Sequence, residues 1–271
     1  MKRWRQLAFL LGLVAVLGTS LAASADSKKT VVVATDLDTA PFTYKKGKSF
    51  KGYDIDVVKA IFKGSDYKVT FKTVAFDSIT VGIDAGKYDI GANDYGYNDE
   101  RAKRYLFSEP LSKSNFAVVS AKGKSYSSLD ELSGKTTAAM SGTNYVQVLE
   151  NWNKEHPDKK PITINYVDGT SGVVSRLKDI ETGKIDFILY DAISASYIVK
   201  DQGMDLTVTN LKDDLGGQTE GLEYLLFAKT EKGEELKAFA DKRIKALKED
   251  GTLKKLSQKY FGGDYVSGID N

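Results

Sequence analysis

The chain has 271 residues, of which 41% are hydrophobic and 28% are charged, so it is long and apolar enough to fold as one large domain or as two lobes. Its 39 basic and 37 acidic residues nearly balance, and such a charge argues against nucleic acid as a partner. The absence of cysteine excludes disulfides and a lipid anchor on an N-terminal cysteine.

The first 25 residues predict a secretory signal peptide. Three basic residues precede an apolar run from Leu7 to Leu17, and an Ala-Ser-Ala cleavage motif ends at Ala25. The run is shorter than the roughly 20 residues of a membrane span, so a retained anchor is the weaker alternative. Removing the segment leaves 36 basic and 37 acidic residues, and we expect an exported chain of net charge −1, beginning at Asp26, in the periplasm or at the extracellular cell surface.

Strands and helices alternate in the first part of the exported chain. The β-branched run Thr30 to Thr35 is typical of a strand buried in a parallel sheet, and Gly64 ends a helix with one apolar face. The predicted order is strand TVVVAT, helix YDIDVVKAIFKG, strand YKVTFKTV, helix FDSITVGIDAGKYD and strand YDIGA. This rhythm predicts a sheet with helices on its faces.

A second unit with the same rhythm begins at the strand NFAVVSA. It continues with the short capped helix SSLDELSG, strand KTTAAM, helix NYVQVLENWNKE, strand ITINYV, helix GVVSRLKDIETG, strand IDFILY and helix AISASYIVKD. The strand EYLLFAK and the helices GEELKAFADKRIKALKEDG and TLKKLSQKYFGG follow. We interpret the many lysines and arginines of these two helices as the solvated side of amphipathic helices.

The two units have no linker rich in Pro, Gly or Ser between them. We therefore expect extended strands to join them near Ser112 to Phe116 and near Thr219 to Tyr224. The predicted architecture is a two-lobed α/β protein with a mainly parallel, helix-flanked sheet in each lobe. Residues 26–113 and 221–271 form the first lobe, and residues 114–220 form the second. Ligands of such units collect at the carboxyl ends of the strands, which here face the cleft.

The absence of common catalytic, metal-binding and nucleotide-binding motifs limits the kinds of site that the chain can form. His156 is the only histidine and lies at a polar helix end, so a His-based catalytic triad and a His/Cys metal cluster are excluded. The chain also lacks a nucleophile elbow, a Walker loop, a dinucleotide-binding glycine motif and an EF-hand loop. We predict no catalytic residue, no metal and no cofactor, although enzymes built on lone carboxylates or lysine stay open.

Seven short motifs follow one another in an order that resembles a known family. They are APF, KGYDIDVVKAI, GKYDIGAND, DERAKRYLFSEP, LDELSGKTTAAMSGTN, GKIDFILYDA and EDGTLKKLSQKYFG. Over Thr30 to Gly263 the chain resembles the polar amino-acid family of periplasmic solute-binding proteins, the capture subunits of ABC importers. The resemblance implies a type II binding-protein fold with two hinge crossings, an amino-acid ligand, an ABC permease as membrane partner, and a monomer.

Arg101 is the first candidate for ligand binding. Its guanidinium offers a planar fork that binds a carboxylate through two parallel hydrogen bonds. Asn98 or Asp99 is placed to cap the helix that carries Arg101 and to leave backbone N–H groups near the same anion. The matching arginine of the family binds the ligand carboxylate, whereas an arginine in a first helical turn is otherwise usually exposed.

Asp191 is the candidate for the opposite charge. It ends the predicted buried strand DFILY, so its carboxylate is expected to face the cleft. The resemblance implies that it binds the ligand α-amino group. The alternative is that Asp191 caps the following helix, and the two roles are compatible.

Five further residues match positions that line the site in the family. Thr143 and Asn144 start a helix whose first N–H groups meet the ligand carboxylate, with simple helix capping as the alternative. Phe76 matches an aromatic residue that packs on the ligand, with ordinary core packing as the alternative. Asp36 and Thr39 match wall positions, where a turn role is the alternative.

The segment before Arg101 departs from the Gly-x-Thr-x-Thr-x-x-Arg pattern of many relatives. Gly96 replaces a threonine, and Asn93 and Asp94 bring polar side chains to the strand end. This variant resembles the cystine and sulfur amino-acid branch of the family. A glycine at this place lets the ligand backbone approach closely.

Three tyrosines near these motifs offer amphipathic walls suited to a polarisable, uncharged ligand side chain, with filling of the core or the surface as the alternative. They are Tyr95, Tyr97 and Tyr190. The sequence therefore predicts capture of a zwitterionic amino acid, L-cystine or a related polar one, by closure of two lobes and delivery to a permease. Two other classes stay open: an enzyme of the same fold, such as a dehydratase using lone carboxylates, and a surface adhesin or sensory domain.

Overall fold

The structure is a computed structural model and describes residues 28–215, 217 and 219–269. The signal peptide predicted for residues 1–25 lies outside the described residues. Among the described helices, none combines the length and the apolarity needed to cross a bilayer.

The first part of the chain alternates short strands and helices, as the sequence pattern predicts. Its elements are β1 (Lys29–Thr35), β2 (Asp38–Thr39), β3 (Thr43–Lys46), β4 (Ser49–Lys51), α1 (Tyr53–Phe62), β5 (Tyr67–Thr73), α2 (Phe76–Asp84), β6 (Ile90–Gly96), α3 (Asp99–Arg104), β7 (Tyr105–Phe107) and β8 (Ser112–Lys113). Gly52 precedes α1 with φ of 129°, and a Cβ atom there would lie 1.9 Å from the carbonyl oxygen of Phe42. Only glycine fits this close approach.

The middle of the chain repeats the pattern, and a strand and two helices close it. The middle elements are β9 (Phe116–Ala121), a 3-10 turn (Asp130–Leu132), β10 (Thr136–Met140), α4 (Asn144–Glu155), β11 (Thr163–Val167), α5 (Val173–Glu181), β12 (Phe187–Asp191), α6 (Ala192–Asp201) and β13 (Leu206–Asn210). The last elements are β14 (Leu222–Ala228), α7 (Glu231–Glu249) and α8 (Thr252–Phe261).

Each lobe has its own main sheet. Within the described residues, the first sheet has the order β5-β1-β6-β14-β7, with β8 paired to β14, and the second has the order β11-β10-β12-β9-β13. A third, small sheet joins β2, β3 and β4. The two-lobed α/β fold is confirmed. The exact lobe boundaries, at 113/114 and 220/221, stay predictions.

The main sheets are more mixed than the sequence predicts. β1 pairs in parallel with β5 and β6, whereas β14 runs antiparallel to β6 and β7. In the second sheet, β9 runs antiparallel to both of its neighbours. β9 and β14 each enter a sheet directly after a crossing between the lobes. They are not joined to a neighbouring strand of the same sheet by a helical crossover, which parallel pairing requires, and they run antiparallel to their neighbours.

Two parts of the sequence interpretation differ from the structure. The segment SSLDELSG forms only a 3-10 turn, because the Glu131 carboxylate holds the backbone N–H groups of Ser127 and Ser128 and Gly134 follows with φ of 72°. β13 and the small sheet within residues 38–51 were not predicted from the sequence. The strands of the small sheet have only two to four residues and carry too little periodicity to be recognised.

The core of the first lobe joins the beginning and the end of the described chain. Val31 and Val33 of β1 belong to one buried cluster with Leu225 and Phe227 of β14 and with Ile244 of α7. The second sheet is buried on both faces, since alternate residues of β9 and β12 belong to two different clusters. Both sheets are therefore rigid supports for side chains at their strand ends.

Candidate functional site

A cavity lies between the two lobes and is lined by side chains from both of them. The first lobe contributes Thr39, Phe76, Asn93, Asp94 and Arg101 to its walls. The second lobe contributes polar and aromatic side chains from β10, α4, α5 and β12, namely Thr143, Asn144, Tyr145, Arg176 and Tyr190, beside the apolar Met140 and Leu189. Seven of the ten residues predicted from the sequence line this cavity.

Arg101 is buried in the wall of the cavity, with 6% of its surface exposed. Its Nη1 donates a 2.8 Å hydrogen bond to the carbonyl oxygen of Gly96. The guanidinium carbon lies 4.8 Å from the ring centre of Tyr95 and 5.7 Å from that of Phe76, and these ring centres are 5.4 Å apart, so the cation lies beside a pair of packed aromatic rings. Among the described carboxylates, none forms an ion pair with Arg101. The guanidinium is thus oriented without being neutralised.

The cap of α3 differs in detail from the prediction. Asn98 is the cap, and its Oδ1 accepts a 2.8 Å hydrogen bond from the backbone N–H of Arg101 itself. That N–H group is therefore occupied. Arg101 offers its guanidinium to an anion, and the prediction of a free N–H beside it is wrong at this residue.

A polar network fixes the floor of the cavity at the ends of β1 and β6. Asn93 accepts from the backbone N–H of Asp36 at 2.7 Å and donates to the Asp36 carboxylate at 2.9 Å and to Thr39 Oγ1 at 3.1 Å. Thr39 Oγ1 in turn donates to Asp36 at 3.0 Å. Asp36 does not line the cavity but holds Asn93 and Thr39, which do. Burial raises the pKa of its carboxyl group, and these hydrogen bonds oppose the shift.

Asp94 is a second acid in the cavity wall and has an unusual backbone. Its φ of 50° lies in the left-handed region, which is uncommon for residues other than glycine. Its backbone N–H donates a 2.9 Å hydrogen bond to Asp54 Oδ2, and this bond holds the strained residue. Burial raises the pKa of Asp94 well above its ordinary value, and the nearby charges of Asp191 and Asp54 add to the effect.

Behind Asp94, Asp54 and Glu223 form a buried pair of carboxyl groups. Both are fully or almost fully buried, and Glu223 Oε2 accepts a 2.6 Å hydrogen bond from Ser112 Oγ. Burial, together with the charge and hydrogen bond of Asp54, raises the pKa of Glu223 well above its ordinary value. Asp54 Oδ1 and Glu223 Oε1 are both buried without another hydrogen-bond partner among the described residues, so we infer that the two carboxyl groups share a proton. The pair therefore links the crossing at β8 and β14 to the cavity residue Asp94.

The start of α4 faces the cavity. Thr143 Oγ1 caps the helix by accepting from the backbone N–H of Val146 at 3.3 Å and donates to the carbonyl oxygen of Met140 at 3.0 Å. The first N–H groups of α4, those of Asn144 and Tyr145, have no acceptor within the helix. Together with the helix dipole they favour an anionic group at this end.

Asp191 lies at the end of β12, and its carboxylate caps α6. The Oδ1 atom accepts a 2.7 Å hydrogen bond from the backbone N–H of Ser194. Burial raises the pKa of Asp191 to about 6, which hydrogen bonds from Ser114 and from the first N–H groups of α6 partly oppose. The residue does not line the cavity, although its charge acts on Asp94, which does. Helix capping is observed, and binding of an ammonium group stays a prediction.

The lobes touch each other around the cavity. Asn98 Nδ2 donates to the carbonyl oxygen of Gly142 at 2.9 Å, and Asp99 and Gln147 exchange two hydrogen bonds of 3.2 and 3.1 Å. At the opposite rim, the backbone N–H of Val173 donates to Asp38 Oδ2 at 2.9 Å. Because these hydrogen bonds join the lobes on both sides of the cavity, the structure has the lobes closed.

Sequence reasoning missed Arg176 and Tyr145 as cavity residues. The burial of Arg176 could have been predicted from the sequence, because this residue lies on the same face of α5 as the buried Val173, Leu177 and Ile180. A cation on the apolar face of a helix is unusual unless it has a partner. Of the three tyrosines predicted as walls, Tyr190 lines the cavity. Tyr95 is fully buried beneath Arg101, and Tyr97 is 38% exposed.

Comparisons with known proteins agree with this architecture. The model of the bacterial extracellular solute-binding proteins, family 3, matches residues 31–263. The Probable amino-acid-binding protein YxeM of Bacillus subtilis is 31% identical and covers 97% of both chains, and the L-cystine-binding protein TcyJ of the same organism is 30% identical over 98% of this chain and 97% of its own.

One similar solved structure comes from work on glutathione import via GshT and the cystine ABC importer TcyBC of Streptococcus mutans. Its chain is 36% identical to this one, with a TM-score of 0.81. It covers 89% of this chain and 98% of its own. With a family model that spans most of its length and with relatives of this similarity, the chain belongs to the bacterial extracellular solute-binding proteins, family 3.

Proposed function

We propose that the protein captures an α-amino acid of the cystine class between its two lobes and delivers it to an ABC permease. The observation that carries the proposal is the buried Arg101 in the wall of the cavity, which lies beside the rings of Phe76 and Tyr95 and has no ion-pair partner among the described residues. A buried, uncompensated guanidinium is costly unless a carboxylate arrives to pair with it.

The site offers partners for both charges of an amino acid. The carboxylate binds Arg101 and the first N–H groups of α4, and the ammonium binds Asp94 with Asp191 behind it. These groups come from both lobes, so the ligand stabilises the closed form more than any open one. The names of the relatives support a cystine-like ligand, since TcyJ is an L-cystine-binding protein.

Further parts of the proposal rest on the sequence pattern and on the family. The exported chain starts near Asp26 after removal of the signal peptide, acts as a monomer and has no catalytic residue. The lobes comprise residues 26–113 with 221–271, and 114–220. The relatives are named as binding proteins, which favours capture over a dehydratase or an adhesin role.

Isothermal titration calorimetry with L-cystine tests the proposal. Arg101→Met should weaken binding by about 2 to 5 kcal/mol, which is at least tenfold, because the ligand carboxylate loses its partner. Arg104→Met is the matched control, since Arg104 lies on the same helix but is exposed and pairs with Asp84. Unchanged affinity of the Arg101 variant removes this residue from the site, and turnover of the ligand in place of binding supports the enzyme alternative.

A further inference from the structure

Arg176 is a second buried cation in the cavity, and it enters from the other lobe. It lies in the first turns of α5, lines the cavity and is 4% exposed. Its Nε atom is buried and has no hydrogen-bond partner among the described residues. The guanidinium carbon lies 5.9 Å from the ring centre of Tyr190, another cavity residue. The side chain is thus part of the ligand site.

The surroundings of Arg176 do not neutralise it. No described carboxylate lies within ion-pair distance of the guanidinium. Asp38 acts on it through its charge, but Asp38 Oδ2 is already engaged by the backbone N–H of Val173. A purely structural arginine at such depth is normally paired, because removing a charge from water costs several kcal/mol. The missing partner is therefore expected to come with the ligand.

The charges that line the cavity point to the chemistry of that ligand. The lining contains two cations, Arg101 and Arg176, and one acid, Asp94. A neutral amino acid brings one carboxylate and leaves one guanidinium without a partner. A ligand with two carboxylates and at least one ammonium group satisfies both cations.

We propose that Arg176 binds a second carboxylate, so that the ligand is an α-amino acid whose side chain ends in a further carboxylate. This inference rests on the proposed function, in which Arg101 binds the α-carboxylate. L-cystine and glutathione both have this chemistry, since each carries a carboxylate at the end distant from its first α-amino acid group. The position of Arg176 in the lobe opposite to Arg101 fits a ligand that spans the cavity.

Two matched pairs of probes test the proposal by calorimetry. The first pair is L-cystine and the mixed disulfide of L-cysteine with cysteamine, which lacks the distal carboxylate. The second pair is glutathione and its glycine amide. The wild-type protein should bind the acid of at least one pair about tenfold more tightly than its analogue. The pair that shows this preference distinguishes cystine from glutathione as the source of the second carboxylate.

Arg176→Met should remove the preference. We expect the acid to lose about tenfold in affinity and the analogue to bind nearly as before, because only the acid reaches residue 176. Lys178→Met, on the exposed side of the same helix, should keep the wild-type preference. Without ligand, the midpoint of thermal unfolding of Arg176→Met should be unchanged or higher, since an unpaired buried charge has been replaced by an apolar side chain.

The outcomes separate this inference from the proposed function. If Arg176→Met retains the preference, or weakens acid and analogue equally, Arg176 does not bind the distal carboxylate. If the wild-type protein binds acid and analogue equally and Arg101→Met weakens both, the proposed function stands and the inference fails. If the wild-type protein binds none of the four probes, both fail.

Discussion

Gly96 of the first lobe and Asn144 of the second approach so closely that a Cβ atom added to Gly96 would lie 2.5 Å from Asn144 Nδ2. From the sequence, Gly96 is expected to leave room for the ligand backbone. In the structure, the side chain of Asn144 occupies that room. Gly96 therefore permits the lobes to close.

Replacing Gly96 by alanine should weaken ligand binding by about tenfold, or roughly 1.4 kcal/mol, because the added methyl group opposes closure. The free energy of unfolding without ligand should change little, since the methyl group affects only the approach of the second lobe. Calorimetry with L-cystine measures the first effect, and urea unfolding measures the second.

The control for this prediction is the double variant. In an Asn144→Ala background the obstructing side chain is absent, so Gly96→Ala should have almost no further effect on affinity. An equal loss in both backgrounds would show that Gly96 acts on the ligand directly and not through Asn144.

Affinity for the amino acid should fall in acid. Burial raises the pKa of Asp191 to about 6, and an ammonium ligand favours its ionised form. Below pH 6 the ligand must displace a proton, so the dissociation constant should rise about tenfold between pH 7.5 and pH 5. Titrations across this range, and proton release measured in buffers of different ionisation enthalpy, check the prediction. A constant affinity down to pH 5 would argue against an ionised acid at the ammonium.

Replacing Asp191 by asparagine separates its two roles. Asparagine is also a good helix cap, so α6 should keep its start. Binding of L-cystine should weaken, whereas 3,3′-dithiodipropionate, which lacks the amino groups, should lose less affinity. Asp201→Asn, at the exposed end of the same helix, is the control. Equal losses for both ligands would assign Asp191 to helix capping alone.

The raised pKa of Glu223 leads to a prediction about how stability depends on pH. The pKa of its carboxyl group is higher in the folded than in the unfolded protein, so its contribution is fully present below the unfolded pKa and is lost as the pH rises through the folded pKa. Glu223→Gln keeps a donor to Asp54 at every pH. The variant should therefore gain stability relative to the wild type as the pH rises, as measured by thermal unfolding between pH 4.5 and pH 8. A difference independent of pH would mean that Glu223 is ionised in the fold.

Much of the fold could be predicted from the sequence, because long helices and buried strands show a clear hydrophobic periodicity. The helix over Glu231–Glu249 and the buried strand Phe187–Asp191 follow directly from their apolar patterns. The antiparallel direction of β14 could not be predicted, because the local sequence of a strand does not determine the end from which it enters its sheet. The network of Asp36, Asn93 and Thr39 was likewise visible only as separate polar residues.

The cavity was predicted in part because polar and charged residues at strand ends and helix starts often face a ligand site. Arg101 and Thr143 are two such residues. Arg176 was not predicted because it is neither a strand end nor a helix cap, and an arginine on a helix is usually exposed. Gly96 was recognised as special, but its neighbour on the other lobe is 48 residues away in the sequence, and only the folded structure brings it near.

β14 lies in the interior of the first sheet, between β6 and β7, although the chain passes through the whole second sheet before it reaches this strand. The second sheet is built from one continuous stretch of the chain. The first sheet, and the core that α7 and α8 share with it, need segments from both sides of that stretch. The lobe that carries Arg101 is therefore complete only when two separate segments of the chain have come together.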